Sequence, residues 1–553
     1  MTSESPLCNI AARLRTMAGR VPAKEAVVFP EGRDAEGSVI YTHLTFAELD
    51  RASDGYARGF ERIGIGRGVK TLLMVKPSLE FISLTFALFK VGAVPVLIDP
   101  GMGRKRLLHC IAEVQPEALI GIPLAHVARL LFARSFRSLK CVVTVGRRWF
   151  WGGHSLRNLK DPAEEPFEMA STRAGELAAI LFTTGSTGPA KGVEYEHGMF
   201  DAQCDLIRET FGMTEDDIDL PTFPLFSLFS VALGMTAVIP DMDPTKPAEV
   251  DPAKIVEAIH NRGCTFSFGS PALWGRVTSY CVEHSIKLPT LRTVLMAGAP
   301  VPAEVHERFR AILPEGAETN TPYGATEALP STNITGSEVL AETASATAEG
   351  KGVCVGRPVF GVTAEIIRMT DDVLEEWSDD LILPQGEIGE IAVKGPTVTR
   401  RYYRKEEATR AHKIHDGDEI RHRIGDVGYR DERGRIWFCG RKGHRVETEE
   451  GIMYSVCCEA IFNRHGAVKR SALVGVGQRP EQRPVIVIEL NDRSRKKAAL
   501  TTELLELGAE NLLTTGIRDV LYHPSFPVDI RHNAKICREE LAVWAADRLG
   551  ERR

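Results

Sequence analysis

Capped helices and short apolar strands alternate along most of this 553-residue chain. Thr45 and Glu48 form a capping-box pattern, and apolar residues recur at helical spacing from Phe46 to Ile63. Since such alternation is typical of strands buried between covering helices, it predicts an α/β fold with parallel sheets. The patterns predict a helix over residues 79–91, a surface loop over 336–350, and strands over 69–75, 93–98, 141–145, 178–182, 293–296, 388–393, 436–439 and 485–490.

The composition excludes several classes of protein. The length predicts three or four structural units at about 100–200 residues each. The net charge of −6 argues against a general nucleic-acid binder, which would carry a basic excess. No apolar run reaches about 20 residues, so no transmembrane helix is expected. The 11 cysteines include no CxxC pair, which predicts free thiols in a reducing cytoplasm.

Two clusters in the sequence are open to more than one interpretation. His412, His415 and His422 lie close together, but charged residues surround them, so a solvated loop is favoured over a metal site. Residues 129–151 mix arginines with apolar residues and end in an aromatic triplet. This segment could contact lipid or a partner, and a partly buried amphipathic surface is the favoured interpretation.

The strongest local signal is the loop TTGSTGPAKG over residues 183–192, which follows the apolar run 177–182. Glycines let backbone N–H groups approach phosphate oxygens, and four hydroxyls and one lysine add donors and positive charge. A Walker A loop would require glycine at Ala190 and Ser or Thr at Gly192, so this is a different phosphate loop. The residues predicted to bind polyphosphate are Thr183, Thr184, Gly185, Ser186, Thr187, Gly188 and Lys191.

This loop resembles the signature loop of the adenylate-forming superfamily, which comprises acyl-CoA synthetases, luciferases and peptide-synthetase adenylation domains. The resemblance covers nearly the whole chain in the expected order. Residues 87–100 are similar to an early family motif, residues 323–327 to its YGxTE motif, and residues 425–429 to its GD motif. The resemblance implies a large adenylation domain with helix-covered sheets and a small β-barrel-like subdomain, then a small, mobile α+β domain.

The resemblance also implies ATP and Mg²⁺ as cofactors and gives individual residues a role. Glu327 matches the Mg²⁺ ligand, and Lys535 matches the lysine whose ammonium group stabilises charge as a carboxylate attacks the α-phosphorus. Asp426 matches the aspartate that accepts hydrogen bonds from both ribose hydroxyls. Thr184 joins Lys535 and Glu327 as a catalytic residue. The other implied nucleotide-binding residues are Gly298, Ala299, Pro300, Tyr323, Gly324, Thr326 and Arg441.

The character of the sequence changes at a basic, glycine-bearing turn that begins at Gly440. We therefore expect an AMP-binding domain over residues 1–440 and a C-terminal domain carrying the lysine over 441–553. Related enzymes rotate this domain about a hinge two residues after the matching arginine. That position is Gly443, a residue that permits wide backbone freedom.

Three departures distinguish the chain from an ordinary CoA ligase. Ser227 replaces the histidine of a PLFH motif, Ala534 replaces the glycine before the lysine, and residues 451–459 lack a common proline. These features resemble the β-lactone synthetases of bacterial long-chain olefin biosynthesis. That resemblance implies a 3-hydroxy fatty acid with long alkyl branches, whose own hydroxyl closes the lactone without CoA. The implied partners are the pathway's thiolase, reductase and decarboxylase.

The apolar stretch 223–238 is the expected wall of an acyl pocket, with Phe226, Ser227 and Phe229 as the named residues and 270–274 as a further wall. Ordinary protein core is an equal alternative for each of these side chains. The alternative enzyme is a long- or medium-chain fatty acyl-CoA ligase, which shares every residue of the first half-reaction. A nucleotide-binding scaffold without catalysis and an enzyme that loads a carrier protein remain as further alternatives.

Overall fold

The computed structural model describes residues 7–183, 190–528 and 535–550. A seven-stranded sheet forms around the segment that leads into the phosphate loop. Its strands are parallel except for the last pair, in which Lys191–Glu196 runs antiparallel to Leu177–Thr183. The spatial order is His154–Ser155, Cys141–Thr144, Ala118–Gly121, Lys70–Met74, Val94–Ile98, Leu177–Thr183, Lys191–Glu196.

A second, larger sheet has a mostly parallel half and an antiparallel half. The parallel pairing ends where Glu318–Ala325 turns back into Ala328–Thr335. The strand Lys413–Asp416 pairs with Glu419–Arg430 at the side of the antiparallel half. The main path runs Thr363–Ile367, Gly389–Lys394, Glu419–Arg430, Ile436–Arg441, Val353–Pro358, Ala328–Thr335, Glu318–Ala325, Thr293–Met296, Phe266–Gly269, Ile218–Pro221, Thr236–Val238, Glu25–Arg33, Val39–Thr45.

The last hundred residues carry a sheet and a core of their own. Val468–Val476 pairs antiparallel with Arg483–Leu490, which pairs parallel with Asp519–Tyr522. Buried aliphatic side chains on both faces of these strands pack against nearby helices. A short hairpin of Val446–Thr448 and Gly451–Met453 precedes them.

Helices cover both faces of the sheets, as the alternation predicts. The capping box at Thr45 and Glu48 is present, and it begins the helix Phe46–Arg62. Among the described residues, none of the helices is both long and apolar enough to cross a membrane. The main helices are Ala11–Arg20, Phe46–Arg62, Leu79–Lys90, Arg104–Val114, Pro123–Leu131, His197–Phe211, Phe226–Ala232, Pro252–Arg262, Pro271–Glu283, Ala303–Ile312, Glu406–His412, Ser455–Asn463, Lys497–Ala509 and Arg538–Leu549.

The segment predicted to be a loop over residues 336–350 is helical instead. Short turns run over Gly336–Glu338, Val339–Thr343 and Ala344–Ala348. The Thr335 side chain accepts a hydrogen bond from the Glu338 amide and so caps the first turn. The loop prediction was wrong because small polar residues are compatible with short capped turns as well as with loops.

Lys90, which lies within the motif over residues 87–100, is a buried structural cation. Its ammonium group is fully buried and lies 2.5 Å from Asp50 Oδ1 and 2.6 Å from Asp54 Oδ1. Arg15 contacts the same two carboxylates. The cluster therefore joins the helices Ala11–Arg20, Phe46–Arg62 and Leu79–Lys90. Burial lowers the pKa of Lys90, and both aspartates act against that shift.

We expect Lys90→Ala to lower the free energy of unfolding by about 3 kcal/mol, because two buried carboxylates then depend on Arg15 alone. The measurement is the midpoint of urea unfolding. The matched control is Lys105→Ala, at an exposed helical position, which should change stability by less than about 0.5 kcal/mol. Equal midpoints for the two variants would contradict this account of Lys90.

Candidate active site

A single cavity of about 2150 Å³ brings together motifs that lie far apart in the sequence. Its lining includes Lys191, the turn after the strand Thr293–Met296, and Lys535. The predicted residues Thr184, Gly185, Ser186, Thr187 and Gly188 lie outside the described residues, and Thr183 ends the strand before them. The predicted residues that line the cavity are Lys191, Gly298, Ala299, Pro300, Tyr323, Gly324, Thr326, Glu327, Asp426, Arg441, Gly443, Lys535, Phe226 and Phe229.

Asp426 is the centre of a buried polar cluster in this cavity. The Tyr323 hydroxyl donates to Asp426 Oδ2 at 2.6 Å, and Arg441 Nη1 lies 2.9 Å from Oδ1. Burial raises the pKa of Asp426, while Arg441, Tyr323 and Lys535 act to lower it. Tyr323, which lies 103 positions before Asp426, and Arg441 from the next strand thus hold one carboxylate in a fixed orientation beside a guanidinium group.

Glu327 is held by groups that the sequence analysis did not identify. The Tyr402 hydroxyl donates to Glu327 Oε1 at 2.6 Å, and the Thr399 amide donates to the Glu327 carbonyl at 2.8 Å. The Tyr195 hydroxyl donates to the carbonyl of Thr326. A carboxylate has about four lone-pair sites, so the Tyr402 hydrogen bond leaves capacity for a metal ion. An oxygen donor at this position fits Mg²⁺.

Lys191 is positioned by a histidine from a distant part of the chain. Its Nζ lies 2.9 Å from His412 Nε2 and 4.8 Å from the centre of the Tyr402 ring. Burial and nearby cations lower the pKa of His412 to about 3, so His412 is neutral and accepts a hydrogen bond from the Lys191 ammonium. Burial also lowers the pKa of Lys191, and Glu327 opposes that shift.

The solvated-loop interpretation of the histidine cluster was wrong, because all three histidines lie in a helix or a strand and two of them are not exposed. His412 ends the helix Glu406–His412 and faces the cavity, and His422 is buried in a strand. Only His415 is exposed. Within the part of the chain that the structure describes, no group of three or more His, Cys, Asp or Glu residues could hold a metal ion.

Aromatic side chains form the other end of the cavity. Phe226 stacks on Phe268 with ring centres 3.7 Å apart, and Phe229 lies beside Phe226. Ser227 does not face this space, because it is fully buried and its hydroxyl donates to the carbonyl of Pro224. The apolar wall extends to residues that the sequence analysis did not name: Phe29, Phe81, Phe86, Phe89, Leu107 and Leu124.

Lys535 follows the undescribed residues 529–534 and reaches the cavity from the C-terminal part of the chain. The segment after it is anchored by Arg538, which forms two hydrogen bonds to Glu459 at 2.9 and 2.6 Å. Gly443 lies in the short turn Lys442–His444, and its carbonyl accepts a hydrogen bond from Arg479 at 2.7 Å. Along the chain, the turn therefore lies between the antiparallel half of the larger sheet and the C-terminal sheet.

Known proteins share their sequence pattern with most of this chain. Residues 14–403 match the family described as AMP-binding enzyme. The chain is 50% identical to the olefin β-lactone synthetase of Xanthomonas campestris pv. campestris over 98% of both chains. It is 49% identical to the olefin β-lactone synthetase of Stenotrophomonas maltophilia over 99% of both chains.

The fold is shared with O-succinylbenzoate coenzyme A synthetase from Bacillus subtilis, solved in complex with ATP and magnesium ion. The TM-score is 0.75 at 20% identity, over 96% of this chain and 98% of that one. This similarity confirms the predicted α/β fold with a large sheet-containing N-terminal part and a smaller C-terminal part. The chain belongs to the AMP-binding enzyme family and, within it, is similar over its whole length to the olefin β-lactone synthetases.

Proposed function

We propose that this enzyme uses ATP to activate a long-chain 3-hydroxy, 2-alkyl fatty acid and then closes it to a β-lactone. The observation that carries the proposal is the continuity of one cavity, which joins the polar cluster around Asp426 to an aromatic and aliphatic wall. A nucleotide and a lipid-like acid can therefore meet in one enclosed space. The full-length similarity to olefin β-lactone synthetases supports the choice of product.

In the first half-reaction, a carboxylate oxygen of the substrate attacks the α-phosphorus of ATP. The P–O bond to pyrophosphate breaks, and an acyl-adenylate forms. We assign the loop 183–192 to the phosphates, Thr326 to the α-phosphate, Asp426 to the ribose and Lys535 to the transition-state charge. Thr184 assists within the loop. Glu327 would hold Mg²⁺, which neutralises phosphate charge when bound.

In the second half-reaction, the 3-hydroxyl oxygen of the substrate attacks the activated carbonyl carbon. The hydroxyl proton is released to solvent, the bond between the acyl carbon and the phosphate oxygen of AMP breaks, and the four-membered lactone leaves with AMP. Because the nucleophile belongs to the same molecule, no second substrate must be bound. A fatty acyl-CoA ligase is the less supported alternative, since the chain is only 25% identical to the long-chain-fatty-acid–CoA ligase of Thermus thermophilus.

We also propose that the chain is divided into two domains. The boundary between residues 440 and 441 separates the adenylation domain from a mobile domain that turns about Gly443. The separate core around the strands Val468–Val476 and Arg483–Leu490 supports this division.

The thiolase, reductase and decarboxylase of olefin biosynthesis are the proposed partners, and the cytoplasm is the proposed location.

We expect the 3-hydroxyl to be required for release of AMP and not for release of pyrophosphate. With ATP, Mg²⁺ and no CoA, a long-chain 3-hydroxy acid should yield pyrophosphate and AMP through many turnovers. The matched acid without the hydroxyl should give about one pyrophosphate per enzyme and then stall as bound acyl-adenylate. Rapid AMP release from both acids in the absence of CoA would contradict the intramolecular step.

A further inference from the structure

An exposed apolar and basic patch stands beside the apolar end of the cavity. The helix Pro123–Leu131 leaves Leu124 71% exposed and Leu131 72% exposed, and the loop after the strand Cys141–Thr144 leaves Phe150 83% exposed. Leu124 and Leu131 are seven positions apart and share one face of the helix. Single exposed apolar side chains are ordinary, but a group of this size on one surface indicates an interaction site.

The patch is held in place by its own contacts. The indole of Trp151 stacks on His126 with ring centres 5.3 Å apart, and its Nε1 donates to Thr144 Oγ1 at 3.0 Å. Arg129 Nη2 donates to the Trp151 carbonyl at 3.0 Å, which joins the helix to the loop. Trp151 therefore fixes the loop, while Phe150 and its neighbour Trp149 point away from the core.

The charged side chains of the segment that carries the patch have one sign. Residues 118–160 contain eight Lys or Arg and no Asp or Glu, although the whole chain has a net charge of −6. Among the residues that the structure describes, no carboxylate forms an ion pair with Arg134, Arg137, Arg147 or Arg148. All four are exposed. Exposed apolar side chains surrounded by arginines are the pattern of a protein that rests on a lipid surface.

We propose that this patch docks the enzyme on an anionic lipid bilayer, with Leu131, Trp149 and Phe150 entering the headgroup region and the arginines contacting lipid phosphates. A second copy of the chain is disfavoured, because a twofold interface would place the same basic segment against itself. The inference rests on the surface alone and does not depend on the proposed lactone chemistry.

The patch lies beside an opening of the cavity. Leu124 is largely exposed and also lines the cavity, so it stands where the cavity opens to solvent. Ala125 and Ala128 of the same helix continue the lining inward. A docked enzyme would therefore present this opening to the bilayer, in which a long-chain acid is dissolved.

The test is cosedimentation of the full-length protein with lipid vesicles. We expect binding to vesicles that contain one-quarter phosphatidylglycerol in phosphatidylcholine, and little binding to phosphatidylcholine alone. Raising the salt from about 0.1 M to about 0.5 M should weaken binding, because the arginines act through a screened charge interaction. The double variants Leu131→Ser/Phe150→Ser and Arg147→Gln/Arg148→Gln should each bind about tenfold more weakly.

The matched control is Phe360→Ser/Leu512→Ser, which removes the same two residue types at positions 78% and 94% exposed in other elements. It should bind vesicles like the unchanged protein, and circular dichroism should show all variants folded. The proposal is overturned if the unchanged protein stays in the supernatant with anionic vesicles, or if the patch variants bind equally well. It is also overturned if the protein is a dimer without lipid and Leu131→Ser/Phe150→Ser makes it monomeric, which would assign the patch to a second copy.

Discussion

Lys535→Ala should lower the rate of pyrophosphate release by about 10²–10³-fold, which is the usual effect of removing one preorganised charged donor from a transition state. Lys535 lines the same cavity as Asp426 and acts to lower the pKa of that carboxyl. Its positive charge is therefore felt in the part of the cavity that we propose for the nucleotide. The measurement is the initial rate of pyrophosphate release with ATP and a 3-hydroxy acid. Because the lysine is assigned to the first half-reaction alone, chemically prepared acyl-adenylate should still be converted to lactone at a rate within a few-fold of normal.

The control for this variant is Lys496→Ala, an exposed lysine in the same C-terminal part of the chain. It should leave both half-reactions unchanged. Two results would contradict the assignment of Lys535. One is pyrophosphate release by Lys535→Ala at nearly the normal rate. The other is equal loss of both half-reactions, which would indicate a general defect in the site.

Glu327→Gln should lower adenylation by a similar factor, about 10²–10³-fold, and raise the Mg²⁺ concentration needed for half-maximal rate. The amide keeps the size of the side chain and can still accept the Tyr402 hydrogen bond, so the fold should be unaffected. What the variant removes is the negative charge that a divalent cation requires. Lys191 then also loses the carboxylate that opposes the lowering of its pKa by burial.

Glu304→Gln provides the matched control for Glu327. Glu304 also lines the cavity, but its side chain is 65% exposed and pairs with Arg308. We expect that change to alter the rate less than about threefold, since exposed ion pairs contribute little. A Glu327→Gln enzyme with an unchanged rate and an unchanged Mg²⁺ requirement would show that the metal is held elsewhere.

The sequence predicted those site residues that belong to short motifs. In such motifs the chemistry proposed for the site allows only certain residue types at each position. Tyr323, Glu327, Asp426 and Arg441 line one cavity, and the recognition of phosphate, ribose and metal that we propose for them would require particular donors at particular turns. The helix at Phe46 was equally predictable, since its capping box is local. These signals depend on neighbours within a few positions of the chain.

Contacts between distant segments could not be predicted in the same way. His412 reaches Lys191 across 221 positions, and no local pattern marks that pair. Tyr402 is similarly remote from Glu327, 75 positions away. Ser227 shows a different limit, because a motif position does not tell which way a side chain on a short helix faces. The topology of the fold determines both contacts and the orientation of Ser227.

The most direct test of the account is to identify the acyl product by NMR after incubation with ATP, Mg²⁺ and a long-chain 3-hydroxy acid, with and without CoA. We expect a β-lactone in both reactions, with one AMP formed for each lactone. A thioester that forms only when CoA is present, with no lactone in either reaction, would contradict the intramolecular mechanism and make the enzyme an acyl-CoA ligase.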